Sequence, residues 1–124
     1  GVWYRRIRRS GVMSYEQGDV WWGPAPHKSG PSYRPWVIVS ASSHPFAHTE
    51  CIALAMATQQ HSGAIAVPDD AWLEGGSDAD AYISPWYTTT IKHRDFDRQQ
   101  GTLEPSLVAE AVAELHRYTP APDT

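Results

Sequence analysis

The apolar residues of this chain occur in short runs separated by residues typical of turns. Six runs predict strands, at residues 19–22, 36–40, 51–57, 64–67, 81–84 and 86–91. The segments between them contain turn formers, including Gly23-Pro24, Ser42-Ser43-His44-Pro45, His61-Ser62-Gly63 and Glu74-Gly75-Gly76-Ser77. Because short strands joined by tight turns build curved antiparallel sheets, the pattern predicts a small antiparallel barrel or half-barrel.

The last part of the chain has a helical rather than an alternating pattern. Its apolar and aromatic residues recur at the spacing of one helix face, at Leu103, Leu107, Val108, Ala111, Val112, Leu115 and Tyr118. Pro105 suits a first-turn position, and Pro120 and Pro122 cannot continue a helix. We therefore expect a mainly β fold of the α+β class, with a C-terminal helix whose apolar face covers the barrel or a partner subunit.

The composition excludes several classes of protein. Cys51 is the only cysteine, which excludes an internal disulfide and a cysteine-based zinc site. Its apolar surroundings predict a small buried hydrophobe. His44 and His48 have a metal-like spacing, but Pro45 between them favours a loop, so we predict no metal site. The sequence contains no Walker, GxGxxG or GxSxG motif, and we expect no cofactor.

The hydropathy of the chain gives an expectation about its location. No apolar stretch approaches the ~20 residues that a membrane-spanning helix needs, and no signal-peptide pattern is present. The six tryptophans are expected mainly to fill the core, although tryptophan also suits subunit interfaces. We therefore predict a cytoplasmic protein that makes no contact with a membrane.

The most informative segment lies between the first two predicted strands. It is a loop rich in Gly, Pro and Ser that ends in Arg34-Pro35, directly before the apolar run 36–40. An arginine side chain is a permanently charged fork of five donors that suits a phosphate. Because proline has no amide hydrogen, we expect Pro35 to be the first residue of its strand. The segment indicates a nucleic-acid or nucleotide-ester site beside a loop that can fold over the ligand.

A second polar cluster follows the third predicted strand. Thr58 is expected to end that strand, and Gln59, Gln60 and His61 come directly after it. A hydroxyl at a strand end can be held rigidly beside a groove, but threonine is also simply a good strand former. Taken with Arg34, Thr58 becomes a candidate site residue.

Together these segments resemble the MazF/PemK toxin family. The similarity is carried by Gly18-Asp19-Val20-Trp21-Trp22, by Arg34-Pro35-Trp36-Val37-Ile38-Val39-Ser40, by the strand that leads to Thr58-Gln59, and by Gly101-Thr102-Leu103-Glu104-Pro105 before the final helix. It covers residues 18–118. Members of that family are mRNA interferases of toxin–antitoxin systems. The resemblance implies a compact SH3-like antiparallel barrel, a homodimer, and an endoribonuclease that an antitoxin neutralises.

The resemblance also implies a reaction and its residues. The family's Arg-Pro arginine corresponds to Arg34 and its catalytic threonine best to Thr58, with Ala57 as the alternative in that register. RNA contains its own nucleophile, the 2′-OH, so cleavage needs no metal. We expect Arg34 to neutralise the developing phosphoryl charge, Thr58 to position the phosphate and His27 to assist proton transfer. The products would be a 2′,3′-cyclic phosphate and a 5′-hydroxyl.

The remaining predicted site residues are expected to bind single-stranded RNA. The loop 27–30 resembles the flexible family loop that contacts RNA and is displaced by antitoxin. Aromatic side chains can stack on unpaired bases. The predicted RNA-binding residues are Lys28, Ser29, Trp22, Tyr33, Gln59 and Gln60.

The charge is distributed unevenly along the chain. Arg5, Arg6, Arg8 and Arg9 are four of the ten basic residues, and the other six stand against fourteen acidic ones. We expect residues 1–12 to be a basic extension, non-native or disordered, with a native arm that touches RNA as the alternative. Residues 13–124 are predicted to form one domain.

The acidity of that domain keeps a second function open. A nucleic-acid-binding protein is usually basic where it contacts its ligand, so the few cations would have to be concentrated on one face. The alternative is a non-catalytic SH3-like barrel module that grips a peptide or nucleic acid without cutting it.

Overall fold

A computed structural model of the chain describes residues 14–26 and 32–123. The strands in these residues are β1 (Asp19–Pro24), β2 (Tyr33–Ile38), β3 (Glu50–Ala57), β4 (Ile65–Ala66), β5 (Trp72–Gly75), β6 (Tyr82–Lys92) and β7 (Gln99–Leu103), and they are followed by the helix α1 (Pro105–Tyr118). The strands form one antiparallel sheet in the order β4-β6-β3-β2-β1-β7-β5. The predicted extension, residues 1–12, lies outside the described residues.

The predicted fold class is confirmed. The sheet is curled and has β4 and β5 at its two edges, which makes a half-barrel with one C-terminal helix. The strand predictions are correct for β1 and β3 to within two residues at each end. The prediction for the second strand was displaced, because β2 begins at Tyr33 and ends at Ile38 instead of covering residues 36–40.

Three details of the sheet differ from the sequence expectations. The predicted runs 81–84 and 86–91 are parts of the single strand β6. The pattern also missed β5 and β7, whose segments contain glycine and glutamine in place of an alternating apolar run. These two strands pair at Gly75 and Gly101, and a Cβ at Gly101 would lie 2.3 Å from the carbonyl oxygen of Glu74. The close approach of the two backbones therefore requires glycine at that position.

The sheet packs a separate apolar cluster on each of its faces. One cluster joins the strands to α1 through Leu107, Val108 and Ala111, so the helix covers the sheet with its apolar face as predicted. The other contains Trp21 and Trp36, both almost completely buried. Alternation of side chains along each strand assigns neighbouring residues to opposite clusters. Arg34, two residues before Trp36, is therefore on the Trp36 side of the sheet.

A buried carboxylate fixes the start of β1. Asp19 is 1% exposed and accepts hydrogen bonds from the Ser14 hydroxyl (2.5 Å), the Glu16 amide (2.8 Å) and the Thr102 hydroxyl (2.8 Å). Buried charges are tolerated only when they are bonded in this way. The Gly-Asp pair at the start of the family-like segment thus has a structural role, which ties β1 to β7.

The remaining composition-based expectations concern Cys51, metals and membranes. Burial and the neighbouring Glu50 raise the pKa of the Cys51 thiol to about 12, so it stays protonated within the core as a small hydrophobe. In the described ranges no cluster of three or more His, Cys, Asp and Glu side chains is arranged to hold a metal ion. No helix in that part of the chain is both long enough and apolar enough to span a membrane.

Candidate active site

The site begins where β2 and β3 separate, and Pro35 explains the separation. The amide of Trp22 donates to the Arg98 carbonyl (2.9 Å), and its carbonyl accepts from the Asp97 amide (2.8 Å). Trp22 therefore bonds away from β2. Its partner across the strands, Pro35, points its nitrogen towards β3. That nitrogen carries no hydrogen, and the pairing of β2 with β3 ends at Trp36, opposite Ala55.

The prediction that Pro35 begins its strand is therefore wrong. It is the third residue of β2, because β1 alone continues the pairing through Pro35 to Tyr33. The proline ends the ladder on one side of the strand without ending the strand itself. The consequence is a cleft between the first residues of β2 and the last residues of β3.

This cleft, here called the β2–β3 cavity, has a volume of about 320 Å³. It is lined by Tyr33, Arg34, Met56, Ala57, Thr58, Gln59 and His61. The structure thus brings together four residues that the sequence analysis placed in one site: Arg34, Thr58, Tyr33 and Gln59. A larger cleft of about 600 Å³ lies beside the start of α1, but its charged lining residues are Asp80, Glu104 and Glu110, which repel phosphate.

Arg34 is held by an aromatic side chain beneath it. Its guanidinium carbon lies 5.4 Å from the centre of the Tyr87 ring, within the range of a cation–π contact. The Nε atom of Arg34 is buried and makes no hydrogen bond to any described residue. A buried donor without a partner is costly, and an anionic ligand would satisfy it.

Tyr87 reaches Arg34 because of an irregularity in β6. Ser84 lies opposite Ala55 and Thr88 lies opposite Leu54, so residues 85–87 are extra on the β6 side. Bulges of this kind redirect side chains. The Tyr87 ring packs edge-on against Trp36 at 5.4 Å and 88°, which fixes its position below Arg34. The sequence analysis missed Tyr87, and the only signal was Pro85, which interrupts an otherwise continuous strand pattern.

The two candidates for the threonine position lie side by side. β3 ends at Ala57, where the predicted run 51–57 also ends, and Thr58 is the exposed first residue beyond the strand instead of its last residue. Ala53 and Ala55 belong to the Trp36 cluster, so alternation puts Ala57 on the same side as Arg34. Thr58 is free of the strand ladder and also lines the cavity.

His61 lines the cavity as well, although it was not predicted as a site residue. Its carbonyl accepts a hydrogen bond from the Ala64 amide (3.0 Å), which closes a turn over residues 61–64. Gly63 in this turn has a φ of 88°, which favours glycine. A Cβ there would lie 2.9 Å from the Tyr118 hydroxyl and 3.5 Å from the Trp86 ring. The turn therefore rests directly on these two aromatic side chains.

The other predicted site residues have different positions. Gln60 is exposed and is not among the residues that line the cavity. Trp22 is partly buried on the face of the sheet opposite Arg34, and the Arg98 guanidinium lies 5.6 Å from its ring. His27, Lys28 and Ser29 lie outside the described residues. The roles of all three groups stay predictions.

The fold and the cavity define a class of small β half-barrel whose strand edges open around a partly buried arginine. Within that class, the sequence model of the PemK-like, MazF-like toxins of type II toxin–antitoxin systems matches residues 16–119. The chain belongs to this family. A search of curated proteins finds no match.

Several solved structures have a similar fold. An endoribonuclease from a mycobacterial species, solved in complex with its cognate antitoxin, is 17% identical; the match covers 91% of this chain and 100% of that chain, with a TM-score of 0.65. MazE-MazF from Deinococcus radiodurans is 12% identical over 87% of this chain and 98% of that chain (TM-score 0.68). The Mycobacterium tuberculosis toxin MazF-mt6 is 19% identical over 85% and 99% (TM-score 0.62).

Proposed function

We propose that this protein is an endoribonuclease toxin that cleaves single-stranded RNA in the β2–β3 cavity, without a metal ion. The observation that supports the proposal most strongly is the meeting of Arg34 and Thr58 in one cavity, with the buried Nε of Arg34 unbonded among the described residues. Membership of the PemK-like, MazF-like toxin family and the fold shared with a mycobacterial endoribonuclease point the same way.

In the proposed reaction the RNA supplies the nucleophile. The 2′-oxygen attacks the adjacent phosphorus, the bond from phosphorus to the 5′-oxygen breaks, and a 2′,3′-cyclic phosphate and a 5′-hydroxyl result. Negative charge increases on the phosphoryl oxygens in the transition state. Arg34 is held in place by Tyr87 before the substrate arrives, so it stabilises that charge without first having to be ordered. Removing one such donor typically costs about 3–4 kcal/mol.

The other lining residues have binding roles in this proposal. The Thr58 hydroxyl bonds the phosphate from the β3 side, opposite Arg34. Gln59 has an amide that can contact a base edge, and Tyr33, which is 51% exposed at the rim, provides a ring on which a base can stack. A cavity of about 320 Å³ accommodates the scissile phosphate and part of one nucleotide, so neighbouring nucleotides lie on the surrounding surface.

The proposal includes a protein partner. Among the structural relatives, the mycobacterial endoribonuclease was solved with its cognate antitoxin, and the Deinococcus radiodurans structure contains MazE-MazF. An acidic, disordered antitoxin segment would occupy the cavity by binding Arg34 in place of RNA. We further propose that the protein acts in the cytoplasm as a homodimer of the single domain 13–124.

A cleavage assay on end-labelled single-stranded RNA in excess EDTA tests this function. We expect discrete cuts whose upstream fragments end in a 2′,3′-cyclic phosphate and whose downstream fragments begin with a 5′-hydroxyl. The same samples run on a native gel distinguish the alternative function. RNA that is retarded but uncut would instead support the non-catalytic binding module.

A further inference from the structure

We propose that His61 is the general acid of the reaction, the group that protonates the departing 5′-oxygen. The inference rests on the proposed function, because it assigns a role within the same cavity. His61 is the last residue of the polar cluster that follows Thr58, and the family resemblance gives it no role.

The chemistry of the cavity lining is the first argument. The described residues around the cavity provide a guanidinium, a primary amide, an aliphatic alcohol, a phenol, a thioether, a methyl group and one imidazole. Of these groups, only an imidazole exchanges a proton readily near neutral pH. Arg34 is therefore assigned to stabilise the phosphoryl charge and Thr58 to position the phosphate, whereas His61 is the lining residue suited to proton transfer.

His61 also lies in a turn whose backbone is fixed by its neighbours. The hydrogen bond from the Ala64 amide and the positive φ of Gly63 define its turn, and the turn packs against Trp86 and Tyr118. Trp86 and Tyr87 are neighbours in the same bulge of β6. The bulge in β6 thus supports two parts of the cavity: Trp86 supports the turn that carries His61, and Tyr87 supports the guanidinium of Arg34.

The bond that breaks assigns the acid role to His61. The departing 5′-oxygen becomes an alkoxide unless it receives a proton, and Arg34 and Thr58 in the same cavity are assigned to the phosphoryl oxygens. In the proposed reaction His61 therefore acts as the proton donor. As the P–O5′ bond breaks, the imidazolium gives its proton to the 5′-oxygen. The 2′-OH releases its proton to water, and the neutral imidazole regains one from solvent, so the protons balance.

The test is an RNA in which sulfur replaces the 5′-oxygen at the scissile bond. A departing thiolate needs no proton, so loss of the general acid should affect the oxygen substrate alone. We expect His61→Ala and His61→Gln to slow cleavage of normal RNA by about 10²–10⁴-fold and to cleave the sulfur substrate nearly as fast as wild type. The matched control is His116→Ala, which removes an exposed histidine from the last turn of α1 and should change neither rate.

Each other outcome has a defined meaning. Equal losses on both substrates would overturn the inference, because His61 would then act on binding or on the 2′-OH. Unchanged cleavage of normal RNA by His61→Ala would overturn it too. If wild type cuts neither RNA, the proposed function itself fails, and that failure is separate from the role of His61.

Discussion

Replacing Tyr87 by leucine should weaken the site without touching a residue that contacts RNA. The substitution removes the ring 5.4 Å from the guanidinium carbon of Arg34 and the edge-on contact with Trp36 at the same distance. A cation–π contact contributes about 0.5–2 kcal/mol, from exposed to desolvated sites. With about 1.4 kcal/mol for each factor of ten, kcat/KM should fall roughly two- to thirty-fold. Separately, the loss of the Tyr87–Trp36 ring contact should lower the free energy of unfolding by about 0.5–1.5 kcal/mol.

The assay for Tyr87 separates positioning from general destabilisation. For each variant, the cleavage rate and the free energy of unfolding in urea are both measured. Tyr87→Phe is the matched control because it keeps the ring, and both of its values should stay close to those of wild type. A double-mutant cycle uses the affinity for a non-cleavable RNA with a 2′-deoxy sugar at the scissile position. In an Arg34→Ala background, Tyr87→Leu should have no further effect on that affinity. Additive losses, or an equal loss in Tyr87→Phe, would refute the view that the ring acts through Arg34.

Two further predictions concern the stability of the fold. Gly101→Ala should destabilise the protein by about 1–3 kcal/mol, as measured by urea unfolding. The new methyl group would lie 2.3 Å from the Glu74 carbonyl oxygen and 2.9 Å from the Trp72 ring. A change in stability within experimental error would show that β5 and β7 can move apart freely. Burial lowers the pKa of His93, against smaller opposing effects of the His48 and Glu50 backbone and the Glu50 charge. The folded state therefore binds this proton less tightly than the unfolded state. Stability should fall as pH drops below about 6.5, and melting curves of His93→Gln should lose that part of the slope; identical slopes would contradict the assignment.

The sequence predicts the parts of the fold that are encoded locally. The apolar runs of β1 and β3 and the helical spacing of α1 are visible in single segments. β5 and β7 are not, since their pairing depends on two backbones that meet at Gly75 and Gly101 from distant parts of the chain. The local pattern also gave the wrong bounds for β2, because Pro35 was expected to be the first residue of that strand. Only the pairing of β2 with β3 ends there, whereas the pairing of β2 with β1 continues through Pro35.

The candidate site shows the same division. The presence of Arg34 and Thr58 in one cavity was predictable, because both lie at the ends of recognisable apolar strands and match a family pattern. His61 stood out only as a member of the polar cluster after Thr58, and Tyr87 not at all, because their positions depend on a turn and on the bulge in β6 against which it packs. Side chains that a strand irregularity redirects have no signature in the spacing of residues along the chain.

The central claim is that Arg34 stabilises the phosphoryl charge of an RNA cleaved in the β2–β3 cavity. The most direct measurement compares the single-turnover cleavage rates of wild type, Arg34→Ala and Arg117→Ala in EDTA, with circular dichroism to verify folding. Arg117 is an exposed cation paired with Glu114 on α1, so its loss controls for net charge. We predict a fall of at least about 10²–10³-fold for Arg34→Ala and none for Arg117→Ala. A folded Arg34→Ala protein that cuts RNA as fast as wild type would contradict the claim.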